Sequence, residues 1–351
     1  MKKILYKIVL MCLFIVIGLS LMIGVVVVGG YIYIVREGVS GEPIEITVNK
    51  GSTAKDIAFL LKEKGLIPHE IFFLVLIKMK GGDKDIKYGI YSIPKGYSAQ
   101  QIYELLLKGP IRPIYAYKIT VPEGLTNKQI SLIAPDPQKF LELVNSNEYA
   151  KEKNIPGPTV EGFLMPGTYL FEEVPDAKAL ADVMINQFEK EWKKLMEENG
   201  FELSNEEKYQ KVIVASLIEE ESKVDEERPL IAQVIYNRLK KDMPLQIDAT
   251  LQYANQKYGV LLTNADKQID SPYNTYKYKG LPPTPISNPG LPSLHAALFP
   301  ELGDYLYFVS NADGKTHTFS KDIDTHTDAV IHYRKAIKKK QNNRTESNQK
   351  Q

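Results

Sequence analysis

Twenty-eight consecutive residues without a charge, IVLMCLFIVIGLSLMIGVVVVGGYIYIV from Ile8 to Val35, constrain this chain more than any other stretch. A helix rising about 1.5 Å per residue carries that run about 40 Å, enough to cross a hydrocarbon core of about 30 Å with some tilt. Lys2, Lys3 and Lys7 precede the run, and the mixed pair Arg36–Glu37 follows it. Basic residues favour the cytoplasmic side, so the N-terminus is expected in the cytoplasm and everything after Arg36 outside. A cleaved signal peptide fits less well, because the run is too long for an apolar signal core and no A-x-A-like site follows. The sequence therefore predicts a short cytoplasmic N-terminus (1–7), a transmembrane helix in the lipid of the cell membrane (8–35), and a working part on the outer, periplasmic or cell-wall, side.

That location narrows the chemistry. ATP and most soluble cofactors are absent there, and the accessible polymers are lipids, secreted proteins and wall glycan. The chain has 44 Lys and Arg against 43 Asp and Glu, which gives no reason to expect a nucleic-acid partner. Cys12 is the single cysteine and falls inside the apolar run, so neither an internal disulfide nor a thiolate metal site is possible. His69, His295, His317, His326 and His332 have no tight ligand spacing. No metal and no cofactor are expected.

Three segments after the anchor repeat one pattern: ITVNKGSTAKDIAFLL from Ile46, YSIPKGYSAQQIYELL from Tyr91, and ITVPEGLTNKQISLIA from Ile119. Each has a short alternating stretch, a turn glycine (Gly51, Gly96, Gly124), and a hydroxyl two residues later (Thr53, Ser98, Thr126). Asp56, Gln101 or Gln129 stands three residues further on, which makes or approximates a capping box. Each unit reads strand, turn, helix. The first two resemble halves of a LysM-like domain, a fold that binds polymers containing N-acetylglucosamine. HEIFFLVLIKMKG, from His69, joins them as a helix whose apolar face reads as core.

From Glu161 the texture changes. EGFLMPGTYLF (161–171) reads as a shaped loop and strand. In LSNEEKYQKVIVASLIEEESKV, Ser204 caps a helix with Glu207 three residues on, and Val212 to Ile218 is almost wholly small or apolar. This hidden helix emerges at Glu219, Glu220 and Glu221. At about 100° per residue the three point in different directions, and periodicity does not choose among them. A carboxyl held against an apolar wall keeps its proton near neutrality and can serve as a general acid. MPLQIDATLQYA (243–254), SPYNTYKYKGLPPTPISNPG (271–290) and LYFVSNADGKTHTFS (306–320) follow. The middle one is dense in Pro, Gly, Asn, Ser and Tyr. Aromatic faces stack on pyranose rings, and amides and hydroxyls read sugar substituents, so such a loop suits a glycan groove.

EGFLMPGTY, ASLIEEE, VIYNRL, PLQIDAT, SPYNTYKYKGLPP, SNPG and LYFV, in that order and spacing, resemble the endolytic murein transglycosylase family, also called MltG or YceG-like. The resemblance covers nearly the whole chain up to about Arg334. It implies an α+β protein: an N-terminal transmembrane helix, a small LysM-like membrane-proximal subdomain (36–118) and a larger α+β catalytic domain (119–334). The polar, basic remainder (335–351) reads as disordered. The implied reaction cuts peptidoglycan glycan strands between N-acetylmuramic acid and N-acetylglucosamine, leaving 1,6-anhydro ends and ending strand elongation. The family's first motif glutamate is its catalytic acid, which corresponds to Glu219, with Glu221 as the second acid.

Glu161, Gln246, Asp248, Thr250, Ser271, Tyr273, Asn274, Thr275, Tyr276 and Asn288 are the further groove candidates. Two departures stand out: Asp248-Ala249-Thr250 where the family has D-P-T, and Met165 with Gly167 in a motif usually EGFLFPDTY. The implied partners are peptidoglycan synthases of the same membrane. A hydrolytic muramidase using Glu161 or Asp248 as a second carboxyl, an enzyme for another extracellular glycan, and a non-catalytic wall-binding scaffold of the synthesis machinery are the alternatives.

Overall fold

A computed structural model provides the structure of the chain and describes residues 2–82, 85–200, 202–260 and 262–349. Met1 of the expected inner segment and residues 350 and 351 of the expected tail lie outside the described residues, as does the side chain of Cys12. Helices predominate over short paired strands, and the chain divides into two compact units, Met1–Ala116 and Tyr117–Gln351.

In the first unit, α1 (Lys2–Val35) contains the uncharged run, and Leu13–Ile32 is long and apolar enough to cross a membrane. It is followed by β1 (Gly41–Val48), α2 (Ala54–Glu63), α3 (Glu70–Lys80), β2 (Gly89–Lys95) and α4 (Ala99–Lys108). β1 and β2 pair antiparallel with Ile46 opposite Tyr91, and the two intervening helices lie between them in sequence. The capping boxes form as the sequence predicts: Thr53 and Asp56 close the start of α2, and Ser98 and Gln101 that of α4. Each satisfies helix N–H groups that would otherwise lack partners. Ile46, Ile57, Leu61, Phe73, Tyr91, Ile102 and Leu106 form the core. Gly96 has φ +98°, and a Cβ there would lie 2.9 Å from the Val39 backbone, so no larger residue fits this turn.

The second unit begins with β3 (Tyr117–Val121), α5 (Asn127–Ser131), α6 (Pro137–Val144), α7 (Asn147–Glu152), β4 (Gly167–Phe171) and α8 (Ala177–Asn199). Then come α9 (Asn205–Glu221), α10 (Arg228–Lys240), α11 (Asp248–Asn255), α12 (Leu291–Leu298), β5 (Tyr307–Ser310), β6 (His317–Ser320) and α13 (Ile323–Gln349). β3 pairs antiparallel with β4, and β5 with β6. Ser204 and Glu207 form the capping box of α9. Every residue from Val212 to Ile218 is buried, and α10, α11 and α12 all pack against this helix. Phe163 stacks on Tyr209 and lies against Phe188, which itself stacks on Trp192. Burying each large apolar side chain contributes about 1.5–3 kcal/mol, so α9 is anchored as the central helix of the unit. α13 continues to Gln349 through the polar segment whose composition argues for disorder. That segment contains neither Pro nor Gly, and its Lys, Arg, Gln and Glu residues tolerate a helix well.

Candidate active site

The three glutamates at the end of α9 reach three different environments. Glu219 turns inward. Its side chain is 6% exposed, and Arg228 Nη1 donates to its Oε1 at 3.3 Å. The backbone N–H of Gly290 donates to its Oε2 at 2.9 Å. Arg228, at the start of α10, is buried as well and also bonds Ser293 and Asp225. Glu219 thus ties α9 to α10 and to the start of α12. Glu123 adjoins the same point: a Cβ on Gly290 would clash with its carboxyl. Burial and the charge of Glu219 push the Glu123 carboxyl upward.

Glu220 reaches water, yet the atoms packed around its carboxyl and the charge of Glu219 both raise its pKa. Glu221 faces a cavity of about 400 Å³ lined also by Arg238, Gln246, Asp248, Lys267, Tyr276 and His326. Burial first, and then the charges of Asp248 and Glu220, push Glu221 up to about 7. Asp248, the first residue of α11, accepts a hydrogen bond from the Tyr276 hydroxyl and lies 3.5 Å from Lys267 Nζ. The cavity therefore presents a carboxyl poised near neutrality beside a second carboxylate that is itself held in place.

The Pro-, Gly-, Asn- and Tyr-rich loops are knitted together here. Thr275 accepts from Ile247 N at 3.0 Å, and its carbonyl accepts from Gln246 N at 3.0 Å. Thr250 bonds both Ile247 O and Thr275 Oγ1. Asn274 donates to the carbonyls of Lys267 and Ile269. Gln246 takes a left-handed backbone at φ +55°, and Arg238 of α10 bonds its side chain and the carbonyls of Pro244, Leu245 and Leu306.

A second cavity, about 490 Å³, opens at the far end of α11, with Tyr253, Tyr258, Ser271, Tyr273, Thr126 and Glu161 in its walls. Glu161 lies at its base, 4% exposed. Asn127 N and Asn288 Nδ2 donate to its Oε1 at 2.8 and 2.9 Å, and Tyr253 OH lies 3.4 Å from Oε2. Burial outweighs these bonds and pushes Glu161 up to about 8. Asn288 is fully buried: its Oδ1 accepts from Gly162 N and Leu164 N, and its Nδ2 also donates to Leu125 O.

The structure thus brings Glu221, Gln246, Asp248 and Tyr276 around one cavity, and Glu161, Ser271 and Tyr273 around the other. Thr250, Asn274, Thr275 and Asn288, expected in the groove, are buried braces behind these walls. Their hydroxyls and amides are used up by backbone groups, by one another and, for Asn288, by Glu161, and this is the physical reason they do not face the cavities. Glu219 lines neither cavity. Sequence reasoning gave no role to Arg228, Arg238, Lys267 or His326. Arg238 did stand within the noted VIYNRL, and a buried arginine among apolar helix residues is the signal that marks it. Among the described residues no three His, Cys, Asp or Glu side chains converge as metal ligands.

Fold and cavity together define a mixed α+β protein with a paired-carboxyl site suited to acid–base chemistry. Comparison with known proteins gives the family. The profile of the YceG-like family matches residues 46–332, and the chain belongs to that family. A Bacillus subtilis protein named endolytic murein transglycosylase is 35% identical over 316 residues, covering 83% of this chain and 84% of its own length. A Streptococcus pneumoniae protein of the same name is 30% identical over 324 residues, covering 82% of this chain and 58% of its own length. The crystal structure of a yceG-like protein from Listeria monocytogenes superimposes with a TM-score of 0.53 at 31% identity, covering 82% of this chain and 99% of that one.

Proposed function

We propose that this chain is a membrane-anchored lytic transglycosylase that cuts peptidoglycan within its glycan strands, with Glu221 as the acid and base. The observation that carries the assignment is the position of Glu221: it faces a polar cavity next to Asp248 with its carboxyl raised to about 7. The family pattern favours Glu219, but both oxygens of that residue are engaged by Arg228 and Gly290. Glu221, by contrast, lines the cavity beside Asp248.

In the first step Glu221 gives its proton to the glycosidic oxygen between N-acetylmuramic acid and N-acetylglucosamine, and the C1–O bond breaks with the electron pair leaving on that oxygen. The resulting carboxylate then takes the proton of the muramyl 6-hydroxyl, whose oxygen bonds to C1. The products are a 1,6-anhydromuramyl end and a free 4-hydroxyl, and Glu221 is protonated again. One carboxyl suffices because the nucleophile is tethered and needs no positioned water. Asp248, fixed by Tyr276 and Lys267, disfavours early ionisation of Glu221 and supports positive charge developing at C1. Cavities at both ends of α11 suit a polymer longer than the bond being cut.

The finer readings belong to the same proposal. α1 spans the cell membrane with its N-terminus inside and the second unit acts on nascent strands outside, beside membrane peptidoglycan synthases. The antiparallel β1–β2 pair enclosing α2 and α3 supports a LysM-like, N-acetylglucosamine-binding role for the first unit. The test is mass analysis of products from uncrosslinked glycan strands. Anhydro ends that vanish in Glu221→Gln and persist in Glu219→Gln are expected. Reducing ends, one water heavier, would instead favour a hydrolytic muramidase with Asp248 as the second carboxyl. Binding without cleavage would favour a scaffold.

A further inference from the structure

α3 buries Phe73, Leu76 and Ile77 in the core of the first unit, but its other face is just as apolar. Ile71, Val75 and Met79, spaced four apart, are 60%, 44% and 77% exposed. Three large apolar side chains in a row on a water-facing helix need a covering partner.

Position along α1 identifies the cover. Gly30 lies inside the apolar span Leu13–Ile32 and is buried; a Cβ on it would sit 3.3 Å from Phe72 Cε1. Phe72 neighbours Ile71, Val75 and Met79 on the same side of α3. The helix exit is fastened too: Gly38 N donates to Gly96 O at 2.7 Å, and Gln101 Nε2 to Glu37 Oε1 at 2.6 Å. α3 is therefore held level with the last turn of the apolar span. Lys78 and Lys80, exposed at its C-terminal end, can extend toward headgroups while their stems stay in apolar surroundings.

We infer that α3 is an interfacial helix: its Ile71, Val75 and Met79 stripe enters the outer leaflet beside α1, and the first unit rests on the bilayer instead of standing off from it. The inference relies on the proposal that α1 spans the membrane. It gives the first unit a lipid-binding face in addition to any glycan it holds, and it fixes the height at which the unit meets the membrane.

The test uses the full chain with Cys12→Ser, carrying single cysteines at Val75, Met79, Glu104 or Ile23, each labelled with a polarity-sensitive fluorophore. The protein is reconstituted in phosphatidylglycerol–phosphatidylethanolamine vesicles containing nitroxide lipids. Labels at 75 and 79 are expected to be quenched at least threefold more than the label at Glu104, which is exposed on α4. Quenching at 23 with none beyond the Glu104 level at 75 and 79 would overturn this inference and leave the anchor intact. Absence of quenching at 23 would overturn the anchor and this inference together. Cross-linking between two Met79→Cys chains without lipid quenching would assign the stripe to a second copy, again overturning it.

Discussion

Glu219 and Glu221 stand two residues apart on one helix, yet they live in opposite surroundings. The first is enclosed with an arginine and a backbone N–H, and it joins three helices. The second faces a cavity and another carboxylate. Two steps along a helix turn a side chain through about 200°, so neighbours in a motif can belong to different faces. A run of acids at a helix end can therefore place its members in unlike surroundings, each with partners of its own.

The largest effect expected from this contrast is on catalysis. Glu221→Gln should lower strand cleavage by about 10²–10⁴-fold, the usual worth of a general acid–base, with an unchanged thermal midpoint. Glu219→Gln should keep most of the activity, because its one amide oxygen still accepts from Arg228 or Gly290 and Asp225 continues to pair the arginine. If the two variants exchange these phenotypes, as read by product mass analysis, the contrast drawn above is wrong.

Stability comes next. Arg228→Ala leaves Glu219 buried without its cation and should destabilise by about 3–5 kcal/mol, measured by urea unfolding. Replacing Glu219 and Arg228 together by apolar residues should recover much of that loss, since neither charge then remains unpaired. A single-variant loss below about 1 kcal/mol would mean that the pair is solvated.

The pH profile is a subtler measure. Glu221 must be protonated to act first as an acid, so activity should be present below about 7 and fall as pH rises through that value. Asp248→Asn removes a negative neighbour, and this limb should move to lower pH. An unmoved limb would show that Asp248 does not act on Glu221.

The smallest effect concerns Glu161, whose folded pKa of about 8 lies above its ordinary 4.5. Its protonated form is favoured by the fold, so its contribution to stability is present below about 4.5 and lost as pH rises through about 8. Glu161→Gln should flatten that decline in urea midpoints between these limits.

Local features were legible in the sequence for a physical reason. The capping boxes at Thr53, Ser98, Thr126 and Ser204 are set by residues three apart, and all four form. The hidden run from Val212 to Ile218 is likewise legible, because apolar composition directly reports burial. The surroundings of each glutamate were not, because they depend on Arg228, Gly290 and Asp248, which arrive from other parts of the chain. Nor could residue type separate a cavity wall from a brace: Tyr276 and Asn274 sit two apart in one loop, and one lines the cavity while the other is buried against carbonyls. The exposed side of α3 was hidden for a related reason, since an all-round apolar helix does not declare which side its neighbours leave open.

The Asn288 side chain fixes when the base beneath Glu161 can form. Its partners Gly162, Leu164, Leu125 and Glu161 all precede it by at least 124 positions. Closing so wide a loop costs entropy before any bond repays it, which makes such contacts late and slow to form. A nascent chain that has not yet released residue 288 has no completed base beneath Glu161. That wall of the second cavity is therefore among the last parts of the unit to be completed.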